Sequence, residues 1–195
     1  MIRNMVRLEI AHVSRDLLDA AVDSIRQSPA VEGRIELIVR RPAIGDREVV
    51  DQAMLTVADG LLGDNWRDRW SGAEKELQRH KDMQINLMNS RAIDVIAGGD
   101  QSLWPLAGDQ LFVDFDLSIA NLPAGTKIQV GEAILQVTAE PHLGCRKFQQ
   151  RFGKDAVMFV NSEEAKLLNL RGINARVISP GLVTHGGVIS KLAPL

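Results

Sequence analysis

The chain has little cysteine, little net charge and no long apolar run, and each absence excludes a class of protein. Its 195 residues include one cysteine, Cys145, so no internal disulfide can form and the disulfide-stapled secreted folds are excluded. A net charge of −2 gives no overall attraction to nucleic acid or to an anionic membrane, and we expect neither partner. No apolar stretch approaches the roughly 20 residues that span a bilayer.

Composition and the N-terminus favour a cytoplasmic protein. Arg3, Arg7 and Glu9 interrupt the first apolar residues, so we expect no signal-peptide core. An apolar fraction of 45% and a charged fraction of 25% are typical of a soluble protein with a real core. We expect one domain over residues 1–195, with residues 1–33 as an N-terminal helical appendage.

The apolar pattern predicts a helix, a strand and a helix, followed by a chain dominated by strands. Many short strands with few helices favour a closed barrel, because closure removes exposed strand edges. The predicted fold class is therefore a mainly β barrel with a few peripheral α-helices. The predicted helices lie around 17–25, 49–58, 91–97 and 162–171, and the strands over 34–40, 84–88, 111–117, 126–130, 133–139, 173–177 and 183–192.

Known nucleotide and metal motifs are absent from the sequence. It contains no GxGxxG or GxxxxGK[ST] segment, and His12, His80 and His185 have no metal-ligand spacing. Asp114 and Asp116 share one face of a predicted strand, where paired acids are more often solvated than metal-bound.

The segment from Pro141 to Lys154 contains the only cysteine of the sequence together with several basic side chains. This segment follows the second hairpin strand, so we expect Cys145 in a loop or at a strand end. Adjacent cations favour the thiolate, the form that attacks electrophiles and binds soft metals, and the same cations can hold a phosphate. We expect Cys145 at the rim of a pocket, with at least two of three cations turned toward it: Arg146, Lys147 and Arg151.

The residues alone leave a structural alternative open. A lone cysteine is most often a small buried hydrophobe, and clustered cations usually form a solvated face. His142 is equally compatible with a satisfied structural histidine, and on a strand it would face away from Cys145. The polar-aromatic loop from Asp64 to Trp70 either closes one end of the barrel or gates a pocket.

Four segments, in order, resemble the MOSC family, named after the C-terminal domain of molybdenum cofactor sulfurase. The string Gly-Cys-Arg-Lys-Phe-Gln-Gln-Arg-Phe-Gly at 144–153 resembles the cysteine segment of that family. Segments 60–64, 108–125 and 171–177 resemble its glycine-aspartate loop, its central block and the approach to its last strands. The resemblance covers about residues 34–191 and implies a mainly β barrel.

The resemblance also implies a ligand set. In family members that reduce N-hydroxylated compounds, the matching cysteine ligates molybdenum and basic residues hold the pterin phosphate. Cys145 would then be the metal or sulfur ligand and the catalytic residue. The candidate groups for a molybdenum-pterin cofactor are Arg146, Lys147, Arg151, Asp64, Asn65 and His142.

Three functions remain open from the sequence. The first is a component of a molybdenum-dependent reductase, which would need an electron-donor protein. The second is a non-catalytic carrier that hands sulfur or cofactor to an accepting protein, and the third is an interaction module with an inert cysteine. Nothing resembles the pyridoxal-phosphate domain of the sulfurases, so that cofactor is not expected, and Gly186-Gly187 stands where relatives often have Gly-Asp.

Overall fold

A computed structural model of the chain describes residues 11–69 and 80–193. The strands within these ranges are β1 Glu32–Arg40, β2 Glu48–Val49, β3 Gln52–Thr56, β4 Gly60–Leu61, β5 Ile85–Asn89, β6 Leu111–Asp114, β7 Lys127–Val130, β8 Ala133–Val137, β9 Ile173–Ser179, β10 Gly181–Thr184 and β11 Val188–Lys191. The helices are α1 Arg15–Ala20, α2 Val22–Arg26, α3 Ser90–Ile96, α4 Arg146–Val160 and α5 Glu163–Leu167, with 3₁₀ turns at Arg67–Arg69 and Gln101–Ala107.

Seven of the strands close into a mixed barrel in the order β1, β11, β7, β8, β9, β5 and β6, with β6 pairing back to β1. All neighbours are antiparallel except β5 and β6, which run parallel. A second sheet, formed by β10, β3 and β4, is not part of this ring, and its Leu55, Leu61 and Val183 join the inner core of the barrel. The closed ring confirms the predicted fold class, and the predicted hairpin is confirmed as β7 and β8.

Two apolar cores lie on the two sides of the barrel wall. The inner core takes alternate residues of the strands, such as Leu111 and Val113 of β6. Phe112, on the opposite face, is also fully buried because the helices cover that side. Leu18 and Ile25 of α1 and α2 belong to this second core, so the described part of the predicted appendage packs on the barrel; residues 1–10 lie outside the described residues.

One predicted element is wrong. The apolar residues of 49–58 predicted a helix, but this segment forms β2 and β3. Within β3, Leu55 is fully buried while its neighbour Met54 is 39% exposed, which is the alternation of a strand. So short an apolar run fits both the helical period of 3.6 residues and the strand period of two. The segment forms a strand because β3 pairs with both β10 and β4.

Other boundaries differ only in extent. The predicted first helix divides at Ala21 into α1 and α2, and the helix predicted to reach Arg171 ends at Leu167. The last predicted strand region contains the end of β10 and the whole of β11. Among residues 11–69 and 80–193, no helix is both long and apolar enough to cross a membrane.

Candidate functional site

Cys145 lies directly before α4, a helix that the sequence pattern did not predict. The chain leaves β8 at Val137 and reaches Cys145 in an extended conformation, with φ −110° and ψ 177°. The signal for α4 is present in the buried Phe148 and Phe152, which lie one turn apart on its first segment. The helix breaks at Gly153, whose φ is 90°, and Phe159 is buried on the segment beyond the break. Cys145 is therefore displayed at the start of a helix that these aromatic side chains anchor to the second core.

Asn161, at the far end of α4, fixes the residue before the cysteine. Its side-chain oxygen accepts from the Gly144 N–H and its amide donates to the Gly144 carbonyl, both at 2.9 Å. A side-chain carbon at Gly144 would lie 2.8 Å from a methyl of Val160, so only glycine fits this packing. The approach to Cys145 is thus held in one place by α4 itself.

The Cys145 thiol is exposed and its pKa is lowered. Burial of part of the side chain raises the pKa, but this effect is outweighed by the backbone N–H groups of Phe148 and Lys147 and by the charge of Arg171. No hydrogen bond of helix-cap geometry forms to the sulfur, so the N–H groups act through their field. The site therefore favours the thiolate, the nucleophilic and metal-ligating form.

A testable consequence concerns the pH dependence of alkylation. Because the pKa is lowered, the rate of Cys145 alkylation by iodoacetamide should reach half its maximum at a lower pH in the folded protein than in the same protein unfolded in urea. Asn161→Ala should move that midpoint back toward the unfolded value and destabilise the fold by about 1–2 kcal/mol.

The matched control is Asn121→Ala. Asn121 also makes two side-chain hydrogen bonds to the backbone, both by donating its amide to carbonyls, of Ala30 and Asp116, on another part of the barrel. It should cost similar stability and leave the alkylation midpoint unchanged. Equal midpoints in folded and unfolded wild-type protein would contradict a thiolate-stabilising site.

Five basic side chains line an open cleft of about 410 Å³, named here the cationic cleft. Lys147 and Arg151 come from α4, and Asn65 also lines the wall. None of the described residues that line it is acidic. Cys145 and the exposed Arg146 are not part of that lining either. The remaining cations of the cleft, which the sequence analysis did not identify, are Arg41, Arg47 and Arg69.

Asp64 lies beneath the cationic cleft and holds one of its arginines. The guanidinium of Arg41 donates to both carboxylate oxygens of Asp64, at 2.6 and 2.9 Å, and the side chains are 5% and 0% exposed. Asp64 thus positions Arg41 from below and does not face the cleft.

The positive charges of the cleft repel one another. Burial, followed by the charges of Arg151 and Arg41, lowers the pKa of Arg47. Burial, followed by the charge of Arg41, lowers the pKa of Arg69 to about 10. Like charges held together in this way, with no acid among the described lining residues, are the electrostatic condition for binding an anion. The cleft is suited to a phosphate or a similar group.

His142 lies on the other side of the loop, away from the cationic cleft. Its Nδ1 is 3.4 Å from Oδ1 of Asp109, whose carboxylate is fully buried and pairs with Arg171 at 2.7 Å. The Arg171 guanidinium lies 4.8 Å from the ring centroid of Phe148, which links this pair to the first turn of α4. Sequence reasoning did not single out Asp109 or Arg171 as functional residues, although both fall in the segments that resemble the MOSC family.

The aspartates considered as metal ligands have other roles. Asp114 makes a two-pronged pair with Arg91, and Asp116 accepts from the Ser118 N–H. Within the described ranges, no cluster of three or more His, Cys, Asp or Glu side chains could hold a metal ion. Among these residues, a metal bound through Cys145 would therefore lack a cluster of further side-chain ligands.

Fold and site together define a small mixed β-barrel protein that displays a thiolate-favouring cysteine at a helix start, near a cation-lined cleft. Its structure is similar to YuaD of Bacillus subtilis, with a TM-score of 0.60 and 17% identity over 84% of this chain and 97% of that one. A hypothetical protein of known structure follows, with a TM-score of 0.54 and 20% identity over 88% and 71% of the two chains.

YiiM of Escherichia coli has a TM-score of 0.49 and 22% identity over 83% of this chain and 71% of that one. No family model matches the chain. No curated protein matches it either. The likeness to YuaD shows a shared fold, which is consistent with the MOSC-type domain that the sequence segments predict.

Proposed function

We propose that the chain is a MOSC-type domain that holds a molybdenum-pterin cofactor, with Cys145 as the metal ligand and the cationic cleft as the phosphate site. One observation carries the proposal: Cys145, whose thiol pKa is lowered, lies directly before the helix that carries Lys147 and Arg151, two cations of a cleft with no acidic side chain among its described lining residues. A thiolate is a soft ligand that suits the molybdenum of such a cofactor, and a cation-lined cleft suits its phosphate.

The residues present fit this group. Lys147 and Arg151 would hold its phosphate together with the cleft arginines, and Asp64 would keep Arg41 in place beneath it. Arg171 would maintain the Cys145 thiolate. The bound molybdenum would supply the two-electron chemistry for reduction of an N-hydroxylated compound, with electrons delivered by a separate donor protein.

A carrier function is the second candidate, and one observation favours it. Cys145 is exposed and lies outside the lining of the cleft. Sulfur transfer requires an accessible, nucleophilic thiolate, which this placement provides. In that case a sulfane-sulfur donor such as another protein's persulfide would transfer its outer sulfur to the Cys145 thiolate and leave as a thiolate. The outer sulfur would then pass from Cys145 to an accepting protein, which restores the Cys145 thiolate, and the cleft would recognise an anionic group of that partner or of the cofactor.

Metal and sulfur analysis of the purified protein separates the two. Protein from a molybdenum-sufficient source should contain stoichiometric molybdenum, which Cys145→Ser should abolish and Arg146→Gln, outside the cleft, should retain. A cyanolysable sulfur without metal would instead identify the carrier. Absence of both, together with an unreactive thiol, would refute both candidates.

A further inference from the structure

We propose that a second pocket, on the His142 side of the loop, binds a small neutral molecule with an apolar ring body and one hydrogen-bond donor, which His142 accepts at Nε2. This pocket is named here the apolar pocket. It shares no lining residue with the cationic cleft, so the inference does not rest on the proposed function.

The apolar pocket has a volume of about 430 Å³, within the usual range of sites for small molecules. Its walls come from the barrel, the loop before Cys145 and helices α4 and α5. The main apolar side chains of the wall are Leu122, Val137, Leu143, Val160, Ala165 and Ile173. A ring system of a few fused members would bury its surface against them.

Asp109 sets the hydrogen-bonding character of His142. The buried Nδ1 faces the Asp109 carboxylate, and a proton on Nδ1 avoids opposing two lone pairs at 3.4 Å. Nε2 is then an acceptor, and no described residue donates to it. Burial, followed by the charge of Arg171, lowers the pKa of His142 to about 3, so the ring stays neutral at physiological pH.

The buried charge of the wall is already engaged, because Arg171 pairs with Asp109. Glu140 is not free, and Lys166 is 44% exposed to solvent, where it forms a surface pair with Glu163. A charged ligand held against the apolar wall would lose its hydration without gaining a buried counter-charge, which is costly in an apolar site. An acceptor-only ligand would oppose the lone pair of Nε2. These conditions select a neutral molecule with an O–H or N–H donor.

Two matched probes test the donor requirement. The ring of 2-naphthol carries one O–H, whereas 2-methoxynaphthalene has the same ring with an acceptor oxygen only. Titration followed by ¹H–¹⁵N NMR should shift the amides of Leu143 and Gly172, which line the pocket. The 2-naphthol should bind about tenfold more tightly, the factor that a hydrogen bond of about 1.4 kcal/mol provides.

Two variants test the location. His142→Phe should remove the preference between the probes while retaining ring binding. Ala139→Trp should abolish binding of both, because Ala139 lies at the exposed rim and a large ring there would fill the pocket. Lys147→Gln, in the cationic cleft, should change neither result. Equal binding of the probes to wild-type protein, or shifts that persist in Ala139→Trp, would overturn the assignment, whatever the outcome for molybdenum.

Discussion

Asp64→Asn is expected to lower the free energy of unfolding by about 3–5 kcal/mol, because it leaves the Arg41 guanidinium buried without its counter-charge. The side chain of Asp64 has no exposed surface and that of Arg41 is 5% exposed. Water cannot take over the lost interaction without opening the floor of the cationic cleft.

The geometry explains why an amide cannot replace this carboxylate. Both Asp64 oxygens accept from Arg41, and the backbone N–H groups of Arg41 and Trp66 donate to them as well, at 3.1 and 2.9 Å. Asparagine retains one of these acceptors and turns an N–H group toward other donors. The change therefore removes a charge and also creates an unpaired buried donor.

Glu48→Gln provides the matched control, since Glu48 pairs with Arg40, the neighbour of Arg41 in the chain. That pair is open to solvent, with side chains 36% and 49% exposed, and the same acid-to-amide change should cost no more than about 1 kcal/mol. Urea unfolding measures both. Similar losses in the two variants would show that the Asp64 pair is not buried as described.

Adding Arg41→Gln to the Asp64 variant should restore part of the loss, since it removes the unpaired charge. The double variant should therefore be more stable than the sum of the single changes predicts. A strictly additive result would mean that the two side chains do not interact.

The sequence was sufficient for the barrel because its strands alternate. In the hairpin of β7 and β8, buried residues alternate with less buried ones at period two, as the sequence pattern predicts. In β6, by contrast, Leu111, Phe112 and Val113 are all buried, because the helices cover the outer face of that strand. The segment 49–58 failed because its apolar residues fit two periods, and only pairing with β10, far along the chain, selects the strand. The local apolar pattern cannot distinguish a helix from a strand in such a segment.

The site was predictable only in part, for the same reason. Cys145, Lys147 and Arg151 are close together in the sequence, so their proximity in the structure could be predicted from it. Arg41 and Arg69 join them only because the chain after β1 and the turn at Arg67–Arg69 lie against α4 in the closed barrel. Chain-distant contacts of this kind leave no local signal.

Removing arginines from the cationic cleft should affect binding far more than stability. The double variant Arg47→Gln/Arg151→Gln should bind inorganic phosphate at least about 100-fold more weakly, since hydrogen bonds to charged groups contribute about 1.5–3 kcal/mol each. Its free energy of unfolding should fall by no more than about 2 kcal/mol, because relief of the repulsion between these two charges offsets part of the loss of their hydrogen bonds to the carbonyls of Pro105 and Leu106.

Two measurements on the same protein check this prediction. Calorimetric titration with phosphate at low ionic strength gives the affinity, and urea unfolding without phosphate gives the stability. The affinity of wild-type protein should fall as salt rises, because the site is electrostatic. Arg146→Gln removes an exposed cation of the same helix outside the cleft and should leave both quantities unchanged.

A large loss of phosphate affinity with a small change in stability distinguishes a binding site from a solvated surface or from side chains that serve the fold. A basic face without a ligand would gain nothing from phosphate, and removal of its charges would change stability little. Arg47 and Arg151 are each anchored through a backbone carbonyl, of Pro105 and of Leu106, so their guanidinium groups stay together despite the repulsion. If the double variant loses stability and keeps its phosphate affinity, these arginines serve the fold, and the anion site proposed for the cofactor must lie elsewhere.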